Sequence, residues 1–208
     1  GVTVTEFFAA ILLDIHYRKQ LCESKKQREV SVQIPVNLRK AFPSETLRNF
    51  VLCLRVKIDP NMGEYTFDEI LRTVSLQLRL ANDSKFLNSM MTQNLKIERN
   101  PVMKYLPLPI KNLGVGIGFL ITAEQTTSTL ISNLGPVILP ENVAENVKRF
   151  FFFNGPGKLN GARCAVISLG DELTFTFSNC YEESDIEREF FTRLVKMGVH
   201  VKIESNRD

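Results

Sequence analysis

Residues 30–58 read VSVQIPVNLRKAFPSETLRNFVLCLRVKI, and two alternating runs lie at the ends of this stretch. Val30, Val32, Ile34 and Val36 alternate with Ser31, Gln33, Pro35 and Asn37, the period-two pattern of a strand with one buried face. Phe50, Leu52, Leu54, Val56 and Ile58 repeat it, and Asp59-Pro60-Asn61 ends the second run. The two runs are expected to share a sheet. Proline has no N–H to give to a ladder, so Pro35 marks an edge or an irregular position.

Helical patterns flank this pair. Upstream, Thr3 and Glu6 form a capping box, followed by Val4, Phe7, Phe8, Ile11, Leu12 and Ile15 at three- and four-residue spacing, which predicts an amphipathic helix. Downstream, Thr66 and Glu69 form a second capping box ahead of Ile70, Leu71, Val74 and Leu78. Another helix is expected from Ser84 to Arg99, stopped by Pro101, and a further one within Leu106–Thr122 despite Gly114, Gly116 and Gly118. The chain then turns β-rich. Strands are expected at Thr129–Leu134, Arg149–Phe153, Ala162–Leu169 and, after the Gly170-Asp171 corner, Glu172–Ser178. A last helix from Glu183 to Met197, stopped by Gly198, precedes a short strand at Val199–Ile203. There is no internal repeat. The fold class expected is α/β (α+β), a two-layer sandwich in which helices cover a mixed β-sheet, as a single domain over residues 1–208.

Composition narrows the function classes. The chain has 208 residues, 44% of them hydrophobic and 24% charged, the balance of an ordinary globular body. A net charge of +3 with scattered Lys and Arg argues against nucleic-acid binding. The four cysteines, Cys22, Cys53, Cys164 and Cys180, are widely spaced and form no Cys-x-x-Cys pair, which reads as reduced thiols without zinc. No apolar run reaches the ~20 residues of a membrane span, and no signal peptide is visible, so a cytoplasmic location is expected. The chain opens at Gly1 inside a helix-start signal, and further sequence upstream is expected.

A complete catalytic constellation is not visible. Of the two histidines, His16 follows Ile15 on the first helix and His200 lies between Val199 and Val201; neither has a neighbour that could orient it as a base. The glycines at 114, 116 and 118 lack the dinucleotide spacing, and in Asn154–Gly161 Lys158 is followed by Leu159 where a phosphate loop needs Ser or Thr. Phe150–Phe153 reads as a strand buried on both faces. Three polar clusters in apolar surroundings remain: Asn37 with Arg39, Arg48 with Asn49, and Ser132 with Asn133. Taken singly, each fits a strand end or a turn.

Taken in order, TVTEFFAA (3–10), IPVNLRKAFPSETLRNF (34–50), TLISNLGPVILP (129–140) and the closing EREFFTRLVKMGVHVKIES (187–205) resemble the C-terminal half of chloramphenicol-acetyltransferase-like acyltransferases. That superfamily includes condensation domains, plant BAHD acyltransferases and alcohol acetyltransferases. The resemblance covers nearly the whole chain. It departs at Arg48, where the family usually has Gly, and in the absence of the His-His-x-x-x-Asp-Gly motif that supplies the family's general base.

The resemblance implies a C-terminal lobe whose catalytic His lies in an N-terminal lobe of the same protein. The reaction implied moves an acyl group from a coenzyme A or carrier-bound pantetheine thioester, as co-substrate, to a small-molecule alcohol or amine. No covalently bound cofactor and no metal are implied. Ser132 matches the position that supports the oxyanion, whereas Asn37, Arg39, Asn49 and Asn133 match channel or lobe-interface positions. The chain alone is expected to be inactive. The alternative is a non-catalytic binding or scaffold module of the same fold.

Overall fold

The computed structural model describes residues 1–23, 27–99, 105, 107–119, 127–157 and 161–206. The helix stop assigned to Pro101, the end of the Leu106–Thr122 stretch beyond Phe119, and the Lys158-Leu159 step lie outside them.

Five strands form one mixed sheet: β1 (Val30–Asn37), β2 (Val51–Ile58), β3 (Thr129–Pro136), β4 (Arg163–Leu169) and β5 (Glu172–Ser178), in the order β2-β1-β3-β4-β5. The β1–β2 and β4–β5 pairs are antiparallel, whereas β1–β3 and β3–β4 are parallel. The alternation sorts the side chains as anticipated. Leu52, Leu54, Val56 and Ile58 are buried while the residues between them are exposed.

The helices are α1 (Val4–Glu23), α2 (Phe67–Ala81), α3 (Ser84–Glu98), α4 (Leu108–Phe119), the single turn α5 (Glu141–Ala144) and α6 (Asp185–Lys196). Both capping boxes form. Thr3 N–H donates to Glu6 Oε2 at 2.6 Å while Glu6 N–H donates to Thr3 Oγ1 at 3.2 Å, and Thr66 and Glu69 make the same reciprocal pair. Helices α1, α2 and α6 pack on one face of the sheet, giving the two layers expected.

Helix α1 differs from the amphipathic expectation. Ala9 to Leu13 are all 0% exposed, because α2 flanks α1 on one side and α6 on the other. The core under α6 is aromatic. Phe190 meets Phe8, Phe175, Phe177 and Phe191 with ring centroids 5.2–5.9 Å apart, mostly edge to face. Glycine is required at the β4–β5 corner, where Gly170 has φ 57°.

Two expected strands do not form. Arg149–Phe153 is extended but joins no ladder, and Phe151 and Phe153 are 53% and 66% exposed rather than buried on both faces. Side-chain bonds hold this segment instead: Thr176 Oγ1 of β5 donates to the Phe152 carbonyl, and Asn154 Nδ2 donates to the Cys164 carbonyl of β4 at 3.0 Å. The two exposed rings stack on each other at 6.3 Å, with the Arg149 guanidinium 5.9 Å from Phe151. Val199–Ile203 is likewise no strand. Val201 alone packs on the core, while Val199 and Ile203 are exposed and an ion pair from Glu204 to Arg149 ties the segment down.

Candidate active site at the carboxyl ends of the parallel strands

The chain leaves β1 for β2 on one side and returns to β3 on the other, so the β1–β3 junction is a topological switch point. In open sheets, ligands bind outside the carboxyl ends of parallel strands at such a junction. The polar clusters converge there. Asn37 ends β1, Asn37 is paired with Val51 so that Arg48 and Asn49 enter β2 at the same end, and Ser132 and Asn133 are the fourth and fifth of the eight residues of the parallel β3.

The β1–β3 ladder is short. It consists of Val32 with Thr129 and Gln33 with Leu130, although β1 continues to Asn37 and β3 to Pro136. Pro35 supplies the reason. Ser31 donates its N–H to Ser128 Oγ at 3.2 Å and accepts at its carbonyl from Ser128 N–H at 2.9 Å, so the odd-numbered positions of β1 turn their backbone toward β3. Pro35 therefore presents its missing N–H to β3 and interrupts the ladder. The irregular position expected of Pro35 is correct, and the edge is not, because β1 lies inside the sheet. Beyond Gln33 no pairing joins β1 and β3, and this unpaired stretch between the two strands forms the crevice.

Neighbouring residues of β3 divide between the two faces. Asn133 reaches the helix layer, where Nδ2 donates to Thr5 Oγ1 at 3.1 Å while Oδ1 accepts from Gly135 N–H at 2.8 Å. Gly135 has φ 80°, at the bulge between Asn133 and Pro136. Ser132 turns to the face away from the helices, in a row with Ala165 and Thr176. It is 9% exposed, and its hydroxyl makes no hydrogen bond to a described residue. The Ser132-Asn133 pair is thus one cluster in sequence but two sites in space.

Asn37 and Arg39 organise the loop beside the crevice. Asn37 Oδ1 caps a short 3₁₀ turn through Arg39 N–H at 3.0 Å. Arg39 Nη2 donates to the carbonyls of Thr46 and Arg48 at 2.8 and 2.7 Å, which fixes the loop that carries the exposed Asn49. These two bonds are within the lobe.

His16 does not reach the crevice. The Asn133–Thr5 bond places the start of α1 at this end, so His16, eleven residues on, lies ~16 Å away along the helix. There it faces Gly161 and the Ser128 carbonyl region, near the start of β3. His16 Nε2 is closed off from solvent with no hydrogen-bond partner among the described residues. Burial, aided by Lys19, pushes this imidazole down to about 4. The unfolded chain therefore binds more protons than the fold between pH ~6.5 and 4, and the stability present above pH 6.5 is lost as pH falls through that window. The expected loss from this group is about 2 kcal/mol between pH 7 and 5. Urea unfolding at the two pH values should show that loss and show a smaller one in His16→Phe; equal losses would place the acid sensitivity elsewhere.

Thiol chemistry has no support either. Cys164 is buried and its thiol is pushed up, and the four cysteines are unpaired, as expected. No group of His, Cys, Asp and Glu that could hold a metal occurs among the described residues, and none of their helices is long and apolar enough to cross a membrane.

The chain matches no family model and no curated protein sequence. Its fold is similar to several solved structures. Vinorine synthase aligns over 93% of this chain and 40% of its own, with a TM-score of 0.48 and 10% identity. The starter condensation domain of the rhizomide synthetase RzmA aligns over 93% and 40%, with a TM-score of 0.46 and 15% identity. The wax ester synthase/diacylglycerol acyltransferase of Marinobacter aquaeolei VT8 aligns over 96% and 44%, with a TM-score of 0.46 and 12% identity. The chain spans about two fifths of the length of these structures.

Proposed function

We propose that this chain is one lobe of an acyltransferase, moving an acyl group from a coenzyme A or carrier-bound pantetheine thioester to an alcohol or amine. The observation that carries the reading is the convergence of the segments bearing the sequence resemblance. TVTEFFAA, IPVNLRKAFPSETLRNF and TLISNLGPVILP are separated in sequence, yet Thr5, Asn37, Asn49 and Asn133 come to one end of the sheet, beside the crevice that Pro35 opens.

The work divides between two bodies. With His16 well away from the crevice, the base that takes the acceptor's proton is assigned to a partner lobe carrying the His-His-x-x-x-Asp-Gly motif. This lobe supplies one wall. The Ser132 hydroxyl, which has no hydrogen-bond partner among the described residues, donates to the oxyanion that forms when the acceptor attacks the thioester carbon, and the acceptor's proton goes to the partner's base. As the tetrahedral intermediate collapses, the C–S bond breaks and the thiol leaves.

The chain alone should therefore release no thiol from an acyl-thioester above the uncatalysed rate, while the protein extended through its upstream sequence should do so in the presence of acceptor. Free thiol, followed colorimetrically, reads both. Turnover by the isolated chain would contradict the division of labour, and an inert extended protein lacking the His motif would favour the scaffold-module alternative.

A further inference from the structure

Among the described residues, the first half of α3 packs on the core, whereas the end of α3 and α4 do not. Leu87 is fully buried and Met90 and Met91 pack on the core, which docks the first half of α3. Beyond that point described apolar side chains are exposed: Leu95 is 46% exposed, and on α4 Ile110, Leu113 and Ile117 are 55%, 66% and 49% exposed. Spacings of three and four residues put Ile110, Leu113 and Ile117 in one row along α4. Leu108 and Tyr105 beside it are 67% and 81% exposed. Apolar contact area of this kind, with no described element packed on it, calls for a partner.

The charge of the same segment says which partner. Residues 84–119 hold five cations, Lys85, Lys96, Arg99, Lys104 and Lys111, against the single anion Glu98, whereas the whole chain carries only +3. This segment is therefore +4 and the remainder −1. The described cations Lys85, Lys96, Arg99 and Lys111 form no ion pair with a described residue. Outside the segment, nine described cations have carboxylate partners and eight, among them Arg28, Arg72 and Lys148, have none among the described residues, so what sets this segment apart is its excess of positive charge beside an apolar row. An apolar helical row with an exposed tyrosine and unpaired cations beside it has the composition of an element that lies in the headgroup region of a bilayer.

We propose that α4 and the end of α3 dock this protein on an anionic phospholipid surface, with the Ile110-Leu113-Ile117 row entering the interface and the cations contacting lipid headgroups. This surface is independent of the acyl-transfer reading, since it uses none of the crevice residues. An acidic protein face would share the charge but has no need of an apolar row flanked by an exposed tyrosine.

Flotation of the full chain with vesicles of phosphatidylcholine alone, or of phosphatidylcholine with 30% phosphatidylserine, tests it. Binding to the anionic vesicles should exceed that to neutral ones by tenfold or more and should fall as salt is raised. Lys96→Gln with Lys111→Gln should weaken it by about five-fold per charge. Leu113→Ser with Ile117→Ser should bring it to the neutral-vesicle level, with melting temperature and helical signal unchanged, since neither side chain packs on the core. The proposal is overturned if the protein floats with neither vesicle, if the serine variant floats like the original, or if the same row instead drives self-association in lipid-free solution.

Discussion

Replacing Asp14 by alanine should cost about 3–5 kcal/mol of stability, the usual consequence of leaving one member of a buried ion pair alone. Asp14 lies on α1 with only 2% of its side chain exposed, and its carboxylate holds Arg193 of α6 and, at 3.0 Å, Arg18 Nε. Arg193 is itself 17% exposed and also reaches Glu189 at 2.9 Å. Without Asp14 that guanidinium keeps its desolvation cost but loses its buried partner and retains only the more exposed Glu189. Because α6 also holds Phe190 against Phe8, Phe175 and Phe177, the loss is felt across the aromatic core. For a chain of this length the melting temperature should drop by roughly 6–20 °C. Glu29→Ala is the comparison. Glu29 pairs with both Lys57 and Arg55, but all three side chains are 35% exposed or more, so solvent screens the pair and the cost should stay within about 1 kcal/mol. If the two variants melt alike, the Asp14 pair does not fasten α6 to α1.

Much of this architecture was legible in the order of residues. Each capping box predicted a helix start because its reciprocal bonds involve residues three apart, a distance that needs no tertiary information. The alternation in 30–36 and 50–58 predicted β1 and β2, since one covered face is enough to impose period two. The misreadings share a cause. Phe150–Phe153 has the composition of a buried strand, but whether a ladder is available to it depends on where β4 and β5 end up, and Thr176 and Asn154 hold it by side chains instead. Likewise α1 is buried all round because two helices distant in sequence flank it. For the site, the residue types were readable and their convergence was not. Strand order decides that Asn37 and Asn133 share one end of the sheet, and the side-chain alternation of β3 decides that Ser132 and Asn133 part company. Pro35 was visible as an interruption; only the direction of its missing N–H shows that it opens the crevice toward β3.

The crevice makes Ser132 the residue on which the proposed chemistry rests most narrowly. A preorganised donor aimed at a developing oxyanion is worth about 10² to 10³ in turnover, because it acts where water is excluded and need not reorganise. Ser132 is 9% exposed, sits on a strand paired on its far side to β4, and has no hydrogen bond to another described residue that would compete for its proton. Ser132→Ala removes one hydroxyl and disturbs no described bond, so the fold should be kept. In the protein extended through its partner lobe, kcat for thioester-dependent acyl transfer should fall by about 10² to 10³ while KM for the thioester changes little, the pattern of an interaction made only in the transition state. Parallel rates for the native and Ser132→Ala extended proteins, with melting curves matched, are the most direct check. A selective fall in kcat is the predicted result, and an unchanged kcat would contradict the assignment of the oxyanion wall to this lobe.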